Sequence, residues 1–141
     1  KSPRNLGKCE GYSHEAKGYN PLCGDKVHVY LKLNTEKKVE NLTFEGDGCA
    51  ISLASASIMT ELVKGRSIND TKEIMSAFLN MIKNTSEMNS NHLDDDQKTK
   101  IMSLSGVKQF PMRVKCATLS WHTLNSAMDE KKEEVNTEVM D

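Results

Sequence analysis

No stretch of the 141 residues approaches the roughly 18 consecutive apolar residues that a membrane span needs. The start, Lys1-Ser-Pro-Arg-Asn5, also lacks the apolar core of a signal peptide, so the chain reads as cytoplasmic. It begins without Met inside what looks like a structural segment, and an N-terminal piece is expected to have been removed. A charge excess of one sign is missing too: 19 basic residues stand against 20 acidic ones, a net of −1. That balance argues against nucleic acid or a membrane surface as partner. Aromatic residues are scarce at 5%, and the four cysteines, Cys9, Cys23, Cys49 and Cys116, include no C-x-x-C pair. Gly-rich phosphate loops, G-x-S-x-G and H-E-x-x-H are absent, which removes their chemistries from consideration.

What remains is a chain of 37% hydrophobic and 28% charged residues, the length of one domain with one modest core. The first 25 residues hold Gly7, Gly11, Gly18, Asn20-Pro21 and Gly24 without a sustained period, and they read as loop. Strict alternation then puts Val27, Val29, Leu31 and Leu33 on one face and Lys26, His28, Tyr30 and Lys32 on the other, the pattern of a half-buried strand. A polar turn over 34–38 and a second strand from Val39 to Phe44 complete a hairpin. Residues 49–63 have the small and apolar content of a buried helix, closed by Gly65. Asp70 with Glu73 resembles a capping box ahead of Ile74, Phe78 and Ile82.

Residues 84–100 read as a polar surface excursion leading into a short helix around Ile101 to Leu104. Pro111 suits the first turn of a long helix with a seam through Val114, Ala117, Trp121, Leu124 and Met128. From Asp129 onward six acidic and two basic residues mark a tail, 129–141, expected to be disordered, which leaves 1–128 as the domain. The expected class is α+β.

The cysteines carry what chemistry the chain has. Cys23-Gly-Asp25 sets a thiol and a carboxylate two apart in a loop, where both can point at one ion. Cys49 follows Gly46-Asp-Gly48 at a helix start, where the positive end of the helix dipole favours the anionic sulfur that binds metal or attacks sulfur. Thiolates from distant segments suit zinc or an iron–sulfur centre, and Cys23, Asp25, Cys49 and Cys116 would complete a tetrahedral set. Four anionic ligands around a divalent ion leave a net negative charge, for which Arg113 and Lys115 offer cations. Plainer readings stand beside this one. Cys116 also suits a small buried hydrophobe, Cys23-Gly-Asp25 an Asn-Pro turn with a surface Asp, and Gly46 to Gly48 a turn needing unusual backbone angles. Cys9 has no acidic or histidine neighbour and reads as incidental, as do His14, His28, His92 and His122.

Four segments say more. Pro3-Arg-Asn-x-Gly7, Asn20-Pro-x-Cys-Gly-Asp25, Phe44-Glu-Gly-x-Gly-Cys-x-Ile-Ser-x-Ala-Ser-Ala-Ser57 and Arg113-Val-Lys-Cys-Ala-Thr-Leu-x-Trp121 resemble, in order, the signatures of the IscU/NifU-like family, and of its SufU branch most. The likeness covers nearly all of residues 3–128. It implies a small antiparallel sheet packed by helices, with three cysteines gathered at one end. It also implies a zinc ion on Cys23, Asp25, Cys49 and Cys116, and Arg113 near the site.

In that branch the protein docks on a cysteine desulfurase of the SufS type, a pyridoxal-phosphate enzyme. The partner's histidine displaces one cysteine from zinc, and the freed cysteine attacks the partner's persulfide. By position the acceptor is Cys23, and the sulfur passes to downstream cluster-assembly proteins. The scaffold branch, on which a transient iron–sulfur cluster is built, is the alternative. There a histidine precedes the last cysteine, whereas this chain has Lys115, and the stretch from Cys49 to Cys116 also looks longer, as in SufU. The start departs from the family's pattern, in which a first helix is usual and contributes to the partner-docking surface.

Overall fold

The computed structural model describes residues 7, 11–21, 24–83, 95–102, 104, 110–129 and 135–136. The expected hairpin is present as β2 (Asp25–Leu33) and β3 (Val39–Asp47), paired antiparallel with Val29 opposite Phe44 and Leu31 opposite Leu42. Its turn is held by Asn34, whose Oδ1 accepts from the backbone N–H groups of Glu36 and Lys38. Val27, Val29, Leu31, Leu42 and Phe44 form the buried face, as alternation requires.

The reading of the first 25 residues as loop is corrected by β1 (His14–Asn20), which pairs antiparallel with β2 along its whole length. Its buried positions are Ala16, Gly18 and Asn20, so the strand alternates in burial without alternating in hydrophobicity. In the acidic tail, Val135–Asn136, labelled β4, pairs in parallel with Gly18 and Tyr19. The sheet order is β3-β2-β1-β4.

Helices cover the buried face. They are α1 (Ala50–Val63), α2 (Ile68–Lys83), α3 (Asp95–Met102) and α4 (Pro111–Met128). The expected seam of α4 holds, with Ala117, Trp121, Leu124 and Met128 buried, but Leu119, Thr123 and Ala127 on its other sides are buried as well. It lies at the centre, between sheet and helices. Ser55 of α1 donates to the Ala117 carbonyl and accepts from Trp121 Nε1 at 3.0 Å, while Phe78 of α2 stacks on Trp121 at 4.4 Å.

Two helix starts differ from expectation. Ser67, not Asp70, caps α2, its Oγ accepting from the Asp70 N–H at 3.1 Å. The short helix expected over 101–104 begins at Asp95 and ends at Met102. Its first turns are charged and hide the start, and Ile101 is its buried anchor. Residues 84–94 of the expected excursion lie outside the described residues. Among the described residues no helix is long and apolar enough to cross a membrane.

Candidate metal centre

Three elements converge at one end of the sheet. Asp25 opens β2 and is fully buried, Cys49 is the N-cap of α1, and Cys116 is buried in the second turn of α4. One ligand atom from each lies within 4.8 Å of the others. Both cysteines are free thiols. The register makes Asn20 and Asp25 partners at the base of the hairpin loop that joins β1 to β2.

The carboxylate of Asp25 is divided between two tasks. Its Oδ1 accepts from the backbone N–H of Cys49 at 2.8 Å, which ties β2 to the start of α1. Its Oδ2 faces the sulfurs, 3.8 Å from Cys49 Sγ. Such closeness requires Gly48, because a Cβ there would lie 2.3 Å from Asp25 Oδ1. Cys49 Sγ receives the Ser52 backbone N–H at 3.5 Å, so the first turn of α1 directs a donor at it, as the sequence argument expected of a helix start. Asn20 Nδ2 donates to Asp25 Oδ2 at 3.2 Å and to Cys116 Sγ at 3.5 Å.

The donor set fits zinc. Ligand atoms about 2.0–2.3 Å from a tetrahedral ion lie roughly 3.5–3.8 Å from one another. The Asp25–Cys49 spacing of 3.8 Å already matches, and the other pairs lie within 4.8 Å. Two sulfurs and one carboxylate oxygen are softer than a magnesium or calcium site would require. Backbone and amide N–H groups aimed at the anionic atoms offset part of the negative charge.

A family model for the NifU-like N terminal domain matches residues 1–137. The chain belongs to that family. The NifU-like chain is 40% identical over 132 residues to the zinc-dependent sulfurtransferase SufU of Bacillus subtilis (strain 168), covering 94% of this chain and 85% of the relative. It is 34% identical over 128 residues to the iron–sulfur cluster assembly scaffold protein IscU of Streptococcus pyogenes serotype M1, covering 91% and 76%. A crystal structure from Fervidobacterium islandicum AW-1, described as a cluster assembly scaffold protein for the SUF system, superposes with a TM-score of 0.78 at 36% identity, covering 88% of this chain and 86% of that one. The α+β fold with a small sheet under helices is therefore the family's fold.

Of the four ligands expected from sequence, Asp25, Cys49 and Cys116 come together in this NifU-like domain. Cys23 and Cys9 lie outside the described residues. Arg113 is exposed on the first turn of α4, and Lys115, next to Cys116, is half-buried. Asn20 is the contributor that residue-level reasoning passed over, and Gly48, read there only as part of a turn, serves the approach of Asp25. The burial of Asn20 is the signal that finds it, and burial becomes visible only once β1 is recognised.

The sheet face away from the helices carries a cluster of titrating groups. Tyr12 donates to Glu15 at 2.5 Å, and His28 Nε2 meets the same carboxylate at 2.6 Å; these bonds hold Glu15 below its ordinary range. Burial, then the hydrogen bond to Glu45, pushes the Tyr30 hydroxyl up to about 12.

Proposed function

We propose that this chain is a zinc-dependent sulfur acceptor. It takes persulfide sulfur from a cysteine desulfurase of the SufS type and passes it on for iron–sulfur cluster assembly. The observation that carries this reading is the convergence of Asp25, Cys49 and Cys116 at the base of the loop that bears Cys23. Zinc, when bound by these three residues and Cys23, keeps their sulfurs in the thiolate form. Similarity to the zinc-dependent sulfurtransferase supports relay, as does Lys115 in the place where scaffolds carry histidine.

In the transfer itself, the Cys23 thiolate attacks the outer sulfur of the partner's cysteine persulfide. A new S–S bond forms on Cys23, the partner's S–S bond breaks, and the partner's cysteine leaves as thiolate. No external oxidant is required. Cys23 is the acceptor because the other two thiols are held: Cys49 caps α1 and Cys116 is buried within α4. Arg113, exposed three residues before Cys116, is the residue that the family resemblance puts near the centre. The cytoplasm, which keeps thiols reduced, suits the chemistry.

The deciding experiment is desulfurase turnover with and without this protein, alongside metal analysis of protein purified under mild conditions. Acceleration by a colourless protein holding about one zinc is expected, since a closed structural site would accelerate nothing. A brown protein holding iron and sulfide, without acceleration, would establish the scaffold reading that the relatives named IscU favour.

A further inference from the structure

We infer that Asn20 is a positioning residue for the metal centre, whose one amide nitrogen holds ligands from two separate elements in their binding geometry. The inference rests on the zinc site proposed above. Asn20 is the last residue of β1 and is fully buried, an expensive place for an amide unless its hydrogens are used. Nδ2 carries two of them. One reaches Asp25 Oδ2 on β2 at 3.2 Å, and the other reaches Cys116 Sγ on α4 at 3.5 Å, across 96 residues of sequence.

Two consequences follow from that geometry. The carboxylate of Asp25 is fixed in rotation, with Oδ1 held by the Cys49 N–H and Oδ2 by Asn20, so it offers the ion one defined oxygen. Cys116 receives a neutral donor, which draws charge from the sulfur without adding a competing cation. A donor of this kind is needed most where the ligand set is more negative than the ion is positive. Neither task is packing. Aspartate has nearly the shape of asparagine but brings acceptors where both neighbours are acceptors. Serine keeps one donor on a shorter stem.

The test uses the full chain and zinc alone. Parent, Asn20→Asp and Asn20→Ser are first compared by thermal melting of the metal-free proteins. Zinc affinity is then measured by competition with a chromophoric chelator, and cobalt is substituted to read the sulfur-to-metal and ligand-field bands. Outer partners of metal ligands typically contribute about 10- to 100-fold in affinity. We expect Asn20→Ser to bind about 10-fold more weakly and Asn20→Asp about 100-fold more weakly, both with shifted cobalt bands. If Asn20→Asp does not fold, Asn20→Ser decides alone. A folded variant with the parent's affinity and an unchanged cobalt spectrum overturns the inference, because a merely structural role lowers metal-free melting and leaves both readouts in place. A parent chain that takes up no zinc overturns the proposed function and this inference together.

Discussion

Under the proposed function Cys23, Asp25, Cys49 and Cys116 have different duties, and single substitutions test them. Asp25, Cys49 and Cys116 are embedded in β2, the start of α1 and α4, so replacing either cysteine should remove zinc and stability together. Cys23→Ser should keep part of the zinc through the other three ligands yet lose acceleration of the desulfurase. Mass spectrometry after mixing with desulfurase and free cysteine should place the added sulfur on Cys23, and finding it on Cys116 would reverse the assignment of roles. Gly48 tests the approach of the two ligand segments. Its absent side chain lets the Asp25 carboxylate reach the Cys49 N–H, and a Cβ 2.3 Å from Oδ1 would push them apart. Gly48→Ala should weaken zinc by about 10-fold or more, the scale on which misplaced ligand partners act. A chelator titration that returns the parent's affinity would show that the loop adjusts.

Between elements, α4 packs tightly on β1 at Gly18. A Cβ at Gly18 would lie 2.1 Å from Thr123 Oγ1 and 2.9 Å from Leu119 Cδ1, so only glycine lets the helix lie this near the strand. Gly18→Ala should therefore destabilise by about 1–3 kcal/mol, the usual range for overpacking, measured by urea unfolding. Because β1 ends in Asn20 and α4 carries Cys116, the same change should also weaken zinc binding. The opposite face of the sheet supplies a pH test. Tyr30 ionises near 12 in the folded chain against an ordinary value of 10. Over that interval the unfolded chain has lost this proton and the folded chain keeps it, so Tyr30 makes stability fall as pH rises from 10 to about 12. Below 10 it imposes no slope. Tyr30→Phe should flatten this part of the curve, and an unchanged slope in unfolding measured across the interval would exclude Tyr30 as its source.

For the molecule as a whole, the proposed metal would join segments that lie far apart in the chain. The proposed ligands are separated by two, 24 and 67 residues along the sequence, and zinc affinity is available to folding because the unfolded chain has no preformed site. Zinc free at about a thousand times its Kd would add about 4 kcal/mol, and chelation should lower the melting temperature by about 10 °C for a domain of this size. An unchanged melting curve after verified zinc removal would show that the site forms without its ion. Sequence by itself determined the hairpin, α1 and α4, because Val27 to Leu33, the small apolar run after Cys49 and the seam ending at Met128 follow the periods of strand and helix. The quoted motifs also marked Cys23, Asp25, Cys49 and Cys116 as a set, of which the last three are described residues that lie together. Sequence did not reveal β1, since Ala16, Gly18 and Asn20 form a buried face without hydrophobicity, nor the start of α3 beneath its charges. Only the tertiary structure decided that Asn20 faces Asp25 and reaches Cys116, and that Gly48 must lack a side chain. Periodicity reports what one element buries, whereas a ligand sphere is made of contacts between elements far apart in the chain, and those distances exist only once the sheet and α4 have packed.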